Sequence, residues 1–462
     1  MDASADRSGL VRFTADVITR FRDGLDDRAV FPPVDEREVR DALGASMPAV
    51  GTAASTVIDD LVRIVEPHVV ASAGPRYFGF VTGGSLDAPL CADLLVTGWD
   101  QNAFNAVTSP IAAIVEDVAG RWLIDLFGLP AAASFGFVTG GQGANTAGLA
   151  AARHHLLASC GWDVEADGMV GAPAITVVAS VERHATIDRS LRLLGLGRRC
   201  LREVQADANG AIDVDALGAA LADVNGPTIV CLQAGNVNTG ACDDLARACD
   251  VAHRAGAWVH VDGAFGLWAA TNPATASLTA GLERADSWAT DGHKWLNVPY
   301  DCGYVFCSHP EVHRDALSMT AAYLMGSSAA GLRAPSDFVV ESSRRARGLA
   351  TYAALRELGR AGIAEMVERS CRLARLFATR LGAVEGIAIG NDVVLNQVLV
   401  CFGNDDRTDA VAAAVQASRE CWMGVTTWRG RRYMRISLSG WGTTDTDVDR
   451  SVAAVLAAHA RV

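Results

Sequence analysis

Short unbroken apolar runs alternate with stretches of helical period through the middle of this chain. The runs occupy 135–138, 174–179, 228–232, 258–261, 287–289 and 303–307. Short apolar segments without polar alternation suit strands buried on both faces. Their alternation with helical segments predicts a mostly parallel sheet covered by helices. Ahead of this region Val11, Phe13, Val17, Ile18 and Phe21 recur at helical spacing. A second helix is expected after Pro32-Pro33, with Asp35 as its N-cap, and a third over about 55–69. These helices are amphipathic and have no partner nearby in the sequence, so they are expected to pack on a larger body.

Beyond the sheet region, residues 326–331 read Gly-Ser-Ser-Ala-Ala-Gly and Pro335 follows. This composition predicts a mobile loop within 311–343, a candidate lid. A long helix over about 343–381 leads to a smaller α+β unit. Its strands are expected near 396–402, 424–428 and 433–438, and its helices near 406–420 and 446–460. The pattern divides the chain into a helical arm at 1–75, a large α/β domain at 76–345 and a small C-terminal α+β domain at 346–462.

Composition narrows the function. At 462 residues, 50% hydrophobic and 20% charged, the chain is globular rather than disordered. A net charge of −13 argues against broad nucleic-acid binding, which needs a basic footprint. No apolar stretch is long enough for a transmembrane helix, and the first residues lack a signal-peptide pattern, so no membrane partner is expected. The 11 cysteines are scattered with no C-x-x-C, which fits reduced thiols and a cytoplasmic setting. No metal is expected: His154 and His155 are adjacent, and H-E-x-x-H is absent.

One count changes the picture. Of the 40 basic residues, Lys294 is the only lysine. Arginine serves solvation as well as lysine does, but only lysine readily deprotonates and attacks a carbonyl. By count alone, a drift towards arginine explains it equally well. Lys294 lies in Asp291-Gly292-His293-Lys294-Trp295, after a strand-like run, where a lysine can form an imine with an aldehyde cofactor. Upstream, His260-Val261-Asp262-Gly263-Ala264 ends a strand in a carboxylate that suits a pyridine nitrogen, although a turn or N-cap aspartate reads the same way alone. Thr139-Gly140-Gly141-Gln142-Gly143-Ala144-Asn145 opens a helix after a strand, a place for a phosphate or merely a tight turn. It lacks the third glycine of a dinucleotide fingerprint. His184 follows another strand and is suited to ring stacking, proton relay or a local hydrogen bond. Together these four features fall at strand ends in the order that a pyridoxal phosphate site needs.

The chain resembles the group II pyridoxal-phosphate-dependent amino-acid decarboxylases, which include the aromatic-L-amino-acid decarboxylases, over about 30–460. The resemblance rests on the segments just quoted and on Tyr77-Phe78-Gly79-Phe80-Val81-Thr82-Gly83-Gly84, Asp100-Gln101-Asn102 and Thr108-Ser109-Pro110. Gly235-Asn236-Val237-Asn238-Thr239-Gly240 and Ser343-Arg344-Arg345-Ala346-Arg347 complete it. It implies an aspartate-aminotransferase-like fold of type I and a carboxy-lyase with pyridoxal 5'-phosphate as cofactor. It also implies a homodimer, with the N-terminal helices on the partner and the active site at the interface. In this resemblance Lys294 is the Schiff-base lysine, Asp262 pairs with the pyridinium nitrogen and His184 stacks on the ring. Gly141, Gln142 and His293 contact the phosphate with Asp291 nearby, Ala264 lies against the ring, and Asn236 sits near its O3′ side. The reaction implied runs through a Lys294 aldimine and a quinonoid intermediate to the amine.

One position departs from the resemblance. Many relatives carry a tyrosine linked to protonation in the mobile loop, and alignment on Asp337 and Ser343-Arg344-Arg345 places Phe338 there. Phenylalanine donates no proton. His184, water or Tyr323 then remain as proton sources, or the product becomes an aldehyde formed with dioxygen, or the chemistry is another carbon–carbon lyase reaction. The expected substrate wall is Phe80, Val81, Thr82, Phe104 and Thr108. With no basic residue evident there, although Arg76 and Arg333 stay open, the expected substrate is an aromatic or apolar L-amino acid.

Overall fold

The computed structural model describes residues 3–44, 46–319 and 331–462. Three helices open the chain: α1 (Ala3–Asp23), α2 (Glu36–Leu43) and α3 (Ala54–Val65). Asp35 caps α2, its carboxylate accepting from the amides of Arg37 and Glu38. Then come α4 (Asp87–Trp99), α5 (Pro110–Phe127), β1 (Ser134–Val138), α6 (Gly141–Ser159), α7 (Val164–Asp167), β2 (Thr176–Ser180) and α8 (Ala185–Leu193). β3 (Leu201–Val204), α9 (Val214–Ala222), β4 (Thr228–Gln233), α10 (Leu245–Arg254), β5 (Trp258–Asp262), β6 (Ser287–Asp291), β7 (Gly303–Cys307) and α11 (Pro310–Asp315) follow. The chain ends with α12 (Arg347–Gly382), β8 (Ala388–Ile389), β9 (Gln397–Cys401), α13 (Asp405–Ser418), β10 (Gly424–Trp428), β11 (Arg431–Ser437) and α14 (Asp445–Arg461).

The large sheet has the order β1-β7-β6-β5-β4-β2-β3. Its β3-β2-β4-β5-β6 block is parallel, and β7 runs antiparallel between β6 and β1. Because β1 and β6 both oppose β7, they point the same way. The C-terminal ends of β1, β2, β4, β5 and β6 therefore share one edge of the sheet, and the loops leaving them meet there. All five residues of β1, β5, β6 and β7 are buried, as helices on both faces require. A second, antiparallel sheet, β10-β11-β9-β8, is covered by α13 and the end of α12, with α14 packed on both helices, and has its own apolar core around Phe377, Phe402 and Met434.

The apolar runs predicted as strands coincide with β1, β2 and β4–β7, and the C-terminal segments with β9–β11, α13 and α14. Four details differ. β3 is an edge strand with one buried residue in four, so it carries no apolar run. β8 has only two residues, too few to leave a pattern. The helix expected from 343 begins at Arg347, because the preceding residues pair in extended form with the 102–103 segment: Ala103 N–H donates to Arg344 O at 2.9 Å. That helix also breaks at Gly359, whose φ of 60° only glycine adopts readily. The predicted lid lies partly outside the described residues, and so does Tyr323.

Candidate active site

Lys294 follows the end of β6, and its Nζ lies 2.9 Å from Oδ2 of buried Asp291. Burial by itself lowers an amine pKa. Here the Asp291 charge and hydrogen bond, aided by Asp262, reverse that and hold Lys294 above its ordinary value. Asp262 ends β5. Its Oδ2 accepts from Asn145 Nδ2 at 3.0 Å and from Thr186 Oγ1 at 3.4 Å, and its Oδ1 accepts from the Ala264 amide at 3.2 Å.

Behind Asp262 stands a hydrogen-bond chain whose direction follows from its donors. Trp258 Nε1 can only donate, and it reaches Ser287 Oγ at 2.9 Å. The serine hydroxyl then donates to His260 Nδ1 at 2.9 Å, and His260 Nε2 donates to Asn145 Oδ1 at 2.9 Å. The Asn145 amide passes the last bond to Asp262. Burial pushes the His260 pKa down to about 4, which keeps the imidazole neutral, as this direction needs. A Cβ on Gly148 would stand 2.7 Å from His260 Cε1, so this glycine makes room for the ring.

His184 is the N-cap of α8. Its Nδ1 pairs with Thr186 Oγ1 at 2.8 Å and accepts from the Thr186 amide at 3.3 Å. Burial, with Lys294 nearby, lowers its pKa against the pull of Asp262. After β1, Gly140 and Gly141 open α6 with the first amides of the helix unused. A Cβ on Gly141 would meet Asp291 Oδ2 at 3.0 Å, and one on Gly140 would meet His293 Cε1 at 2.8 Å. Glycines thus let the helix end press against the Asp291–His293 turn. The Gln142 side chain instead donates to Ser190 Oγ at 2.9 Å, leaving its backbone amide at the helix end. Burial also lowers the His293 pKa; its ring stacks on Tyr300 at 4.4 Å, and its Nδ1 accepts from the Cys302 amide at 3.1 Å.

A cavity of about 420 Å³ opens above Lys294. It is lined by Phe80, Val81, Thr82, His184, Val237, Asn238, Tyr300, Val425, Thr426 and Arg435. A narrow inner extension reaches Gln233, Gly235, Asp262, Ala264 and Phe265. The structure thus brings together Lys294, Asp262, His184, Ala264, Phe80, Val81 and Thr82 from the sequence expectations. Asn236 stands just behind the wall: its amide donates to Glu182 O, and its carbonyl accepts from the amides of Asn238 and Thr239. Phe104, Thr108 and Phe338 do not line the cavity of their own chain. Phe338 packs at the outer edge of β1, against His313 and over the Arg333 guanidinium. Arg333 faces Glu116 at 3.6 Å, and buried Arg76 donates to the carbonyls of Glu420 and Asp26, so neither serves the cavity.

Sequence reasoning missed Asn145, Thr186, Tyr300 and Arg435. Asn145 stood inside a quoted motif. Arg435 lay on a strand whose alternation gave no hint that one polar position turns inward. It donates to the carbonyls of Val237 at 2.8 Å and Phe80 at 3.2 Å, and burial pushes its pKa down to about 10, still cationic at neutral pH.

The donor set fits an aldehyde cofactor bearing a ring nitrogen and a phosphate. An amine and a buried carboxylate line the cavity and its inner extension, an open helix N-terminus packs beside them against Asp291 and Ala264, and among the described residues the buried Gln233 Nε2 has no hydrogen-bond partner. Fold and site together define an α/β enzyme of the aspartate-aminotransferase-like type with Lys294 set against a buried carboxylate. Residues 36–404 match the pyridoxal-dependent decarboxylase conserved domain, and the chain belongs to that family. Its cofactor is pyridoxal phosphate, and its reaction class is amino-acid decarboxylation. Over 432 residues the chain is 28% identical to tryptophan decarboxylase 1 of Oryza sativa subsp. japonica, covering 88% of this chain and 80% of that one. It is 24% identical over 384 residues to phenylacetaldehyde synthase of a Rosa hybrid cultivar, covering 80% and 73%. The solved structure of Oryza sativa TDC with PLP and tryptamine superposes with a TM-score of 0.92 at 22% identity, covering 99% and 98% of the two chains.

Proposed function

We propose that the chain converts an aromatic or apolar L-amino acid to its amine, working in the cytoplasm as a homodimer with its active sites at the interface. The lysine amine and the braced Asp262 carboxylate on the cavity, with the α6 N-terminus packed beside them against Asp291 and Ala264, carry this reading. Pyridoxal phosphate supplies a carbonyl carbon that couples to the substrate amine and a ring that takes up the electron pair released with carbon dioxide. Lys294 Nζ would hold the cofactor through that carbon. Asp262 Oδ2 keeps a proton on the ring nitrogen, helped by the donors that brace it. The first amides of α6 bind the phosphate, where the helix dipole favours an anion. His184 covers the ring, with its orientation fixed through Thr186. Arg435 and the wall of Phe80, Val81 and Val425 orient the substrate, its carboxylate towards the guanidinium and its side chain towards the apolar surface.

The dimer reading accounts for the remaining expected site residues. The amide of Ser336 donates to Phe104 O at 3.1 Å, and Asn102 Oδ1 accepts from the Arg344 amide at 3.0 Å. These bonds tie the 102–108 and 335–344 segments into one unit at the outer side of β1, away from their own cavity. We assign Phe104, Thr108 and Phe338 to the wall of the partner's cavity. The domain division at 75 and 345 is part of the same proposal, with the helical arm serving the partner.

A second product has one observation in its favour: Phe338 has no proton to give, which favours an aldehyde made with dioxygen. The test supplies carboxyl-labelled aromatic L-amino acids with and without oxygen and measures carbon dioxide, amine, aldehyde and peroxide. Amine equal to carbon dioxide with no oxygen uptake is the expected result. Aldehyde and peroxide in equal amounts would replace it with the second reading, and no carbon dioxide from any amino acid would overturn both.

A further inference from the structure

Replacing carbon dioxide by hydrogen requires an acid next to the carbon that loses the carboxylate. The side chains lining the cavity with a proton on nitrogen or a hydroxyl oxygen include Thr82, His184, Lys294, Tyr300, Thr426 and Arg435. His184 accepts at Nδ1 from the Thr186 amide and burial lowers its pKa, so the ring is neutral and its remaining Nε2–H is a far weaker acid than a phenol. Arg435 is tied to two carbonyls and holds its proton at neutral pH. Threonine hydroxyls are far weaker acids than a phenol. Lys294 is drawn to Asp291 on the floor of the cavity. Tyr300 is different. Its ring is held by stacking on His293, with ring centroids 4.4 Å apart, and it lines the cavity together with Lys294 and Thr82.

We propose that Tyr300 is the catalytic acid that places a proton on the substrate carbon from which carbon dioxide leaves. This rests on the decarboxylase reading above. In the step, the electron pair left by the departing carbon dioxide forms the new C–H bond, the Tyr300 O–H bond breaks, and solvent returns a proton to the phenolate. Solvent has access, because Tyr300 is 59% exposed in the single chain. The phenol still sits where desolvation raises its pKa above the ordinary value, against the pull of Thr82 and Lys294. It therefore keeps its proton through the neutral range and is ready to donate.

The test compares the holoenzyme with Y300F and T82V. Y300F keeps the ring on His293 and removes only the hydroxyl. It should bind cofactor with an unchanged visible spectrum, keep KM within about twofold, and lose about 100-fold in the rate of amine formation. T82V keeps the phenol and should lose clearly less in the rate of amine formation than Y300F does. Ultraviolet difference titration of the cofactor-free chain, wild type against Y300F, should show one phenol ionising above its ordinary range. Amine formation by Y300F within twofold of wild type would overturn the proposal. So would T82V matching Y300F, which would make the phenol a tether rather than an acid. Failure of the wild-type chain to release carbon dioxide would instead remove the decarboxylase reading, and this proposal with it.

Discussion

A carboxylate facing a ring nitrogen is useful only while it stays charged and in place. Asp262 is secured by the directed relay from Trp258 through Ser287, His260 and Asn145. Such a relay is cooperative, so removing one member costs more than one bond. Asn145→Ala strips the carboxylate of its closest side-chain donor and leaves His260 Nε2 without an acceptor. Leaving buried polar groups unpaired costs about 1–3 kcal/mol. Cofactor affinity, measured by titrating the visible absorbance, should fall by about tenfold or more, with Lys294 still able to attach the cofactor. His260→Phe should have a smaller effect, because Asn145 then still faces Asp262.

At the opposite edge of the sheet, Asp286 joins elements rather than substrate. Its carboxylate takes bonds from His309 Nε2 at 2.9 Å, His253 Nε2 at 3.1 Å and the Val259 amide at 2.7 Å, linking α10, β5 and the segment after β7. Burial opposes the charge, but these donors outweigh it and hold the pKa below the ordinary 3.8. A carboxylate with a lowered native pKa adds stability that is complete above its unfolded value and fades as pH falls through the native one. Asp286→Asn should therefore lower the urea midpoint at neutral pH, and the gap to wild type should shrink as pH falls below the ordinary carboxylate range. Elements of this kind also show what a sequence reveals. Strands buried on both faces announced themselves through unbroken apolar runs, and Asp35 through its place before a helix. The two-residue β8, the polar edge strand β3 and the break at Gly359 had no such signature. Lys294, Asp262 and His184 were legible because each follows a strand end. Tyr300 and Arg435 were not, because only folding carries them from a turn and from the second sheet to the same cavity.

On the scale of the whole molecule, exposed Leu61 and Val65 on α3 join half-buried Val17, Ile18 and Phe21 on α1 along an open groove of about 520 Å³. Apolar grooves of this extent mark association surfaces. If the arm seats a second copy, Leu61→Arg should shift the species seen by sedimentation from dimer to monomer and lower activity at least tenfold, while the far-ultraviolet spectrum of the monomer stays the same. The arginine bias of this chain has its own practical outcome. Reagents that acylate side-chain amines find a single target, and that target is Lys294. Mass-spectrometric acylation therefore reports the occupancy of one candidate site rather than the accessibility of a surface, and a bound cofactor should register as protection at a single peptide.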